Sequence, residues 1–207
     1  MFRSMQGWCS LRHSKWTASL RYIGGIPMPS PSSLDQVMKL SELRDKTPKE
    51  ISDIWLQFHS DADKSRVGSI MNYEEYTKFH ARARESPLFA LPLAKPGGGY
   101  LTLISQCQMP FVLLTTLDEY RKQQSSAAAH LTLTAYPELL ESKGLALLRG
   151  DIVSPAIISV SEARMLHELL RAFYTHDEDY RLVHAFNHRP SEFSFDELLK
   201  KLGHSEK

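Results

Sequence analysis

The stretch Leu88-Phe-Ala-Leu-Pro-Leu93 marks the point in this 207-residue chain where a helical apolar repeat gives way to short β-rich runs. Five such runs follow one another, separated by glycine, proline or small polar residues. They cover residues 88–93, 100–108, 111–116, 130–134 and 145–152. Connections of hairpin or short-helix length favour antiparallel pairing. We therefore predict a central, largely antiparallel sheet of about five strands.

Helical patterns precede this region. Thr47-Pro-Lys-Glu50 is a capping box with proline at the first helical position, where its missing N–H costs nothing. The apolar residues behind it recur at i, i+3, i+4 and i+7, so we expect them to face the core together. They are Ile51, Ile54, Trp55 and Phe58. Asn72, with Glu75 three residues later, predicts the start of a second helix.

Helical patterns also follow the β-rich region. Ser161 is the predicted cap of a helix, a further helix is expected over residues 178–186, and Ser194-Phe-Asp-Glu197 is a last capping box. Helices, then strands, then helices are typical of the α+β class. We predict a sheet flanked by N-terminal and C-terminal helices.

The first 34 residues differ from the rest in charge. They contain four Lys or Arg side chains and no acid, and the first carboxylate is Asp35. A basic, serine-containing, acid-free start predicts a transit peptide, with a Pro/Ser-rich linker from Gly24 to Ser33. This composition is compatible with a mitochondrial or a plastid address, and the family resemblance given below implies the mitochondrion. We expect residues 1–33 to form this transit peptide and linker, and residues 34–207 to form a single domain.

Composition argues against several classes of protein. Beyond the basic start the chain is slightly acidic, which does not suit nucleic-acid binding. Its apolar runs are shorter than a bilayer requires, so no membrane insertion is expected. Of the two cysteines, Cys107 follows apolar residues of a predicted strand, and a buried, inert thiol is the expectation.

Motifs for catalysis, cofactors and metals are incomplete. Asp61, Asp63 and Ser65 begin like a calcium loop, but Arg66 stands where glycine is needed and Asn72 stands where a carboxylate is needed. A helix-to-helix connection is the prediction there. Pro96-Gly-Gly-Gly99 lacks the residues of a phosphate loop, and it predicts a hairpin tip.

One pair of histidines has the spacing of metal ligands. His184 and His188 stand at i and i+4, which allows chelation on a helix. Arg189 is adjacent, and the sequence offers no evident carboxylate as a third ligand. We therefore predict no metal, no cofactor and no catalytic residues.

Several segments occur together in the order and spacing of one protein family. They are Lys46-Thr-Pro-Lys-Glu-Ile-Ser-Asp-Ile-Trp55 followed by Phe58-His59, Pro87-Leu-Phe-Ala-Leu-Pro92, Leu114-Thr-Thr-Leu-Asp-Glu-Tyr120, Tyr136-Pro-Glu-Leu-Leu-Glu-Ser-Lys-Gly-Leu-Ala-Leu147, Ser161-Glu-Ala163, Phe173-Tyr174 and Phe186-Asn-His-Arg-Pro-Ser-Glu-Phe193. Over about residues 42–200 the chain resembles the family of mitochondrial ATP synthase F(1) complex assembly factor 1.

This resemblance implies a chaperone of the mitochondrial matrix, without enzymatic activity, ATP or cofactor. It would bind the unassembled β subunit and cover the surface that later meets the α subunit, until α replaces it. The alternative is a small-molecule-binding or enzymatic α+β domain, which predicts an enclosed pocket and a perturbed histidine such as His130 or His184. A structural subunit of a matrix complex is a third interpretation.

Partner binding of this kind requires exposed apolar surface with a polar rim. The candidates in or beside the family segments are Phe111, Leu113, Tyr120, Tyr136, Leu139, Tyr174, Phe186, Arg189 and Phe193. Core packing is the competing interpretation for each apolar candidate, since apolar positions at element spacing usually face inward. Arg189 is included because arginine is favoured at interface hot spots, and a structural bridge with Glu192 is its alternative.

Overall fold

The computed structural model describes residues 32–60, 65–123 and 126–203. The strands are β1 Arg66–Asn72, β2 Leu88–Ala94, β3 Tyr100–Gln108, β4 Phe111–Thr116, β5 Leu131–Tyr136 and β6 Leu145–Ile152. The helices are α1 Leu34–Val37, α2 Pro48–Phe58, α3 Tyr73–Glu85, α4 Leu117–Gln123, α5 Leu140–Lys143, α6 Val160–Thr175, α7 Asp177–His188 and α8 Phe195–Lys201, and a 3-10 turn spans Leu40–Leu43.

The described strands form one sheet in the order β1-β6-β5-β4-β3-β2. Every neighbouring pair is antiparallel. This confirms the predicted α+β fold with a central antiparallel sheet, which has six strands within the described residues. Pro96-Gly-Gly-Gly99 connects β2 to β3 as the predicted hairpin tip, and its three glycines all have positive φ, a conformation that other residues rarely adopt.

The additional strand is β1, where the sequence predicted a helix-to-helix connection. Arg66 pairs with Asp151 and Asn72 pairs with Leu145, so β6 supplies a partner along the whole of β1. The connection prediction is wrong because Gly68 interrupts the apolar pattern and the strand is stabilised by its pairing. Residues 61–64, where the calcium-like pattern begins, lie outside the described residues.

The two faces of the sheet carry different covers. Leu148 belongs to a large cluster packed against α3, α6, α7 and α8, which we call the main helical layer. Leu147, the preceding residue, belongs to a smaller cluster on the opposite face, because successive strand residues point to opposite sides. We call α1, the 3-10 turn, α2 and α5 the N-terminal layer. Its buried residues are Leu34, Leu43, Ile51, Trp55, Tyr136, Leu139 and Leu147.

Helix starts follow the predicted caps, with one correction. The side chains of Thr47, Asn72 and Ser194 each accept a hydrogen bond from the backbone N–H of the third helical residue. Ser161 is not the cap of α6. Ser159 is, since its side chain accepts from the N–H of Glu162 and the Glu162 carboxylate accepts from the N–H of Ser159 at 2.7 Å.

Cys107 is buried and free, as predicted, and burial raises the pKa of its thiol to about 12. No helix within the described ranges is both long enough and apolar enough to cross a bilayer. The predicted transit peptide and linker lie outside the described residues except for Ser32 and Ser33, and α1 begins at Leu34.

Candidate functional site

The structure places most of the nine candidate residues in the core. Six of them are at most 8% exposed: Phe111, Leu113, Tyr136, Leu139, Tyr174 and Phe186. Tyr120 and Phe193 are partly buried, and Arg189 is exposed. In this conformation the six buried side chains pack the interior, and accessible surface among the candidates is offered by Tyr120, Phe193 and Arg189. Their part in partner binding stays a prediction.

The family segment at residues 186–193 has a structural role. The Phe186 ring meets the Phe89 ring edge-on at 5.8 Å and the Phe193 ring at 5.0 Å between centroids. Asn187 accepts a hydrogen bond from the Leu88 N–H at 3.1 Å and donates one to the Leu88 carbonyl at 2.6 Å. The amide side chain therefore replaces a neighbouring strand at the start of β2.

Arg189 forms an ion pair within its own segment. Its Nη1 atom lies 2.8 Å from Oε2 of Glu192, and both side chains are more than half exposed. A solvent-exposed pair of this kind contributes at most about 1 kcal/mol to folding, because water screens both charges. Both side chains are therefore accessible for contact with another molecule at the surface.

Helix α2 exposes apolar residues that the sequence placed in the core. Ile51 and Trp55 are buried, but Ile54 is 36% exposed and Phe58 is 47% exposed. The expectation that all four face inward is thus wrong for two of them. The Trp55 indole N–H donates to the Leu148 carbonyl at 3.1 Å and fixes the side of α2 that meets the sheet. The flank of the apolar stripe, at Ile54 and Phe58, is therefore left partly exposed.

We call Ile54 and Phe58 the α2 ridge. They stand four residues apart and so lie one turn above each other on the same side of the helix. Leu56 is also exposed, at 45%, but it projects from the opposite side of α2. The ridge belongs to a family segment. Sequence reasoning missed it because apolar periodicity shows which side of a helix is apolar but not how much of that side the rest of the fold covers.

An open groove of about 450 Å³ lies at one end of the sheet, beside the family segment that begins at Tyr136. It is lined by Ser32, Ser33, Tyr76, His80, Met109, Pro110, Thr134, Ala135, Tyr136, Pro137 and Glu138. Glu138 accepts a hydrogen bond from the Leu34 N–H at 2.9 Å, which ties α1 to this rim. Small-molecule sites typically bury about 70–90% of their ligand, and a groove this open does not provide such enclosure.

Two buried histidines are neutral structural residues. His167 Nδ1 lies 2.9 Å from Ser69 Oγ, and burial lowers its pKa to about 4, with a smaller effect of His59. His59 Nδ1 donates to the Trp55 carbonyl at 2.8 Å, and burial also lowers its pKa. Nε2 of each ring has no hydrogen-bond partner within the described residues. A protonated ring at either position would leave a buried N–H unpaired.

His130 contacts a serine and a glutamate, but the two backbone amides beside that serine already have acceptors. Its Nδ1 lies 3.0 Å from Ser154 Oγ, and its Nε2 lies 2.5 Å from Glu119 Oε2, without hydrogen-bond geometry. The backbone N–H groups of Val153 and Ser154 both donate to the His130 carbonyl. Those amides are therefore committed and cannot stabilise an oxyanion. The contacts join the start of β5 to the end of β6.

One cluster of side chains has the composition of a metal site. Glu85, His184 and His188 each offer a ligand atom, and these three atoms lie within 4.8 Å of one another. The sequence predicted no metal because no third ligand was evident. The fold supplies that ligand from α3, which is far from the two histidines along the chain.

The chain matches the family model described as ATP11 protein over residues 25–199. It is 31% identical over 175 residues to the ATP synthase mitochondrial F1 complex assembly factor 1 of Mus musculus, covering 84% of this chain and 53% of that protein. The Homo sapiens protein of the same name is 30% identical over 175 residues, covering 84% and 52%. Protein atp11, mitochondrial, of Schizosaccharomyces pombe is 26% identical over 153 residues, covering 72% and 52%.

The chain thus spans about half the length of the curated relatives that it matches. The family match extends from before α1 into α8, so it includes both layers and every described strand of the sheet. A match over this much of the sequence identifies a family and not a shared local motif. The chain belongs to the ATP11 protein family.

Proposed function

We propose that this chain is a mitochondrial assembly chaperone for the F1 sector of ATP synthase, and that it binds the unassembled β subunit. It shields the β-subunit surface that later meets the α subunit, and it is released when α takes its place. The chain acts by binding, without catalysis. The observation that carries the proposal is the exposed α2 ridge, which lies in a segment characteristic of the family.

The ridge has the chemistry that such binding requires. Ile54 and Phe58 present apolar surface, and the neighbouring Asp53 and Gln57 side chains are exposed and polar. Lys49 and Asp53 form an ion pair at 3.2 Å along the same helix. An apolar centre within a polar rim is the usual anatomy of a protein interface, and it suits the apolar surface of a subunit that has not yet met its partner.

The accessible candidates from the family segments are a second set of residues that we propose for partner binding. Tyr120, Phe193 and Arg189 retain accessible surface. Arginine and tyrosine are enriched among the residues that contribute most to binding energy. Because Phe193 packs against Phe89 of β2 with the main helical layer, Phe193 and Arg189 would form a contact separate from the α2 ridge.

Residues 1–33 fit the same proposal as a transit peptide, because their basic, acid-free composition suits import into mitochondria. Binding would then take place in the matrix, with residues 34–207 acting as the single chaperone domain. Relatives named as mitochondrial assembly factors support the mitochondrion as the location.

The test mixes the purified full chain with purified β subunit, either free or already assembled with α, and measures complex formation by size-exclusion chromatography and titration calorimetry. We expect a complex with free β and none with the assembled pair. Failure to bind free β would overturn the proposal.

A matched pair of variants locates the interface. The double variant Ile54→Ser/Phe58→Ser should weaken binding at least tenfold, whereas Leu56→Ser, an equally exposed change on the other side of α2, should leave it unchanged. If both variants bound the β subunit equally well, the ridge would be excluded as the interface, and the proposed chaperone function would still stand. Circular dichroism checks that each variant is folded.

A further inference from the structure

We propose that Glu85, His184 and His188 form a surface site for a divalent transition-metal ion of the zinc class. The site joins the end of α3 to α7, on the main helical layer. It is separate from the α2 ridge, and it does not depend on β-subunit binding.

The fold brings the three ligands together from two helices. His184 and His188 stand four residues apart on α7, so both rings project from one side, with their centroids 4.5 Å apart. Glu85 is the last residue of α3, and its Oε1 atom lies 3.9 Å from Nε2 of His184. The carboxylate therefore faces the histidine pair across the gap between the helices.

The spacing of the ligand atoms is close to that of a coordinated ion. Zinc bonds to imidazole nitrogen and carboxylate oxygen are about 2.0–2.2 Å long, which places tetrahedral ligand atoms roughly 3.3 Å apart. Here the three atoms lie within 4.8 Å of one another. Small side-chain rotations close the remaining distance, and at least two of the three residues are exposed enough to make them, since Glu85 and His188 lie at the surface.

Neighbouring hydroxyls orient the ligands. The Tyr180 hydroxyl donates to Oε2 of Glu85 at 2.8 Å, which leaves Oε1 directed at His184. Nε2 of His188 lies 3.1 Å from both Ser86 Oγ and the Glu85 carbonyl. Metal binding through this nitrogen exchanges those contacts for a coordinate bond. The Tyr180 hydrogen bond to Oε2 of Glu85 is retained when Oε1 binds the ion, and outer contacts of this type fix the orientation of metal ligands in known sites.

The nearby cationic side chains are engaged elsewhere. Arg189, which follows His188, pairs with Glu192 at 2.8 Å. Arg82 binds the Asp177 carboxylate and the Tyr174 carbonyl, although its guanidinium also lies over the Tyr180 ring. The Glu85 carboxylate therefore lacks an ion pair with either arginine, and its charge is available to a metal ion.

Two imidazoles and one carboxylate suit zinc and the neighbouring first-row ions. Three protein ligands leave a fourth position, which water fills in the free protein. A metal held there would fasten α7 to α3. Since Asn187 lies between the two histidines and binds the edge of β2, the ion would also hold that contact in place.

The test uses the full chain, purified without a histidine tag and freed of metal with a chelator. Cobalt(II) serves as a spectroscopic probe, because it gives intense visible absorption in a tetrahedral site, and zinc chloride is titrated by calorimetry. We expect one ion per chain, with a dissociation constant in the micromolar range, and a rise in the thermal midpoint on adding zinc.

Variants decide whether these residues bind the ion. His184→Ala and Glu85→Gln should each weaken binding at least tenfold and remove the cobalt spectrum. His176→Ala, which removes an exposed histidine beside the start of α7 that pairs with Asp179, should change neither. Millimolar binding, or binding that both ligand variants retain, would overturn the proposal. Circular dichroism of the metal-free variants checks that a loss of binding is not a loss of folding.

Discussion

The main helical layer and the N-terminal layer cover opposite faces of one sheet, but they do so with very different depth. Four helices bury most of the apolar residues of the first face, whereas the second face is covered near β5 and β6 by short elements around seven buried residues. The thicker cover exposes two large apolar side chains, Tyr73 and Met165, on different helices. The thinner one leaves Ile54 and Phe58 in solvent. Burial on one face thus supports the fold, and incomplete burial on the other leaves the apolar surface that we propose for binding.

The largest expected effect is on the free energy of unfolding, and it tests whether the main helical layer contributes most of the stability. Phe89 is fully buried, with its ring 4.9 Å from Phe173 and 5.8 Å from Phe186. Phe89→Ala should lower the free energy of unfolding by about 3–5 kcal/mol, because it removes a buried ring and leaves a cavity. Urea denaturation followed by circular dichroism measures the change.

In Trp55→Ala, hydrogen exchange should become faster in α2 and β6 but not in α7. Faster exchange throughout the domain would show that the two layers unfold as one unit.

The second effect is a loss of stability in acid, to which each layer contributes one buried histidine. The pKa of His167 falls from the ordinary 6.5 to about 4, so the unfolded chain binds a proton between these values and the folded chain does not. Stability is therefore complete above pH 6.5 and declines as the pH falls toward 4, by up to about 3 kcal/mol. His59 acts in the same direction, since burial also lowers its pKa.

The control for this pH dependence is His167→Gln, which removes the titrating ring. Denaturant midpoints measured from pH 7.5 to 4.5 should then fall less steeply than those of the unaltered chain. An unchanged slope would assign the acid sensitivity to groups other than His167.

The third effect compares matched helix caps, one in each layer. Thr47 caps α2 and Ser159 caps α6, both in capping boxes. Replacing either with Ala should cost about 1 kcal/mol, because the N–H of the third helical residue loses its partner. Ser159→Ala should lower global stability. Thr47→Ala should appear mainly as faster hydrogen exchange within α2, and equal global losses would contradict the distinction between the layers.

The smallest effect concerns the ridge itself. Ile54→Ser should change the free energy of unfolding by less than about 0.5 kcal/mol, since substitutions at exposed positions seldom do more. Chemical denaturation measures this. A loss above about 1 kcal/mol would show that Ile54 packs against the domain and does not serve as free binding surface.

Much of the sheet could be predicted because its central strands are continuous apolar runs with clear boundaries. The runs at residues 100–108, 111–116 and 145–152 coincide with β3, β4 and β6. Strand β1 could not be predicted in the same way, since Gly68 breaks its pattern and its pairing with β6 is distant in sequence. Local patterning identifies elements, and the partner of an edge strand is a property of the whole fold.

The candidate sites were harder to predict for a related reason. The family segments were recognised, but most of their aromatic residues serve the core, as Tyr174 does by donating to the Ser86 carbonyl at 2.9 Å. The exposure of Phe58 depends on how much of α2 the rest of the fold covers. The distance between Glu85 and His184 depends on how α3 packs against α7. Sequence periodicity contains neither quantity.

The Asn187 contact with Leu88 bears on how the edge strand β2 avoids pairing with other chains. An uncovered strand edge is a template on which partly folded chains can polymerise. The Pro87 carbonyl bonds to Cys107 of β3, so alternate residues starting at Leu88 turn their backbone groups outward. Asn187 occupies the first of these positions, and Pro92, two steps further, has no N–H to offer. At Leu88 and Pro92 the β2 edge of the sheet therefore offers fewer unpaired backbone groups on which another chain could add a strand.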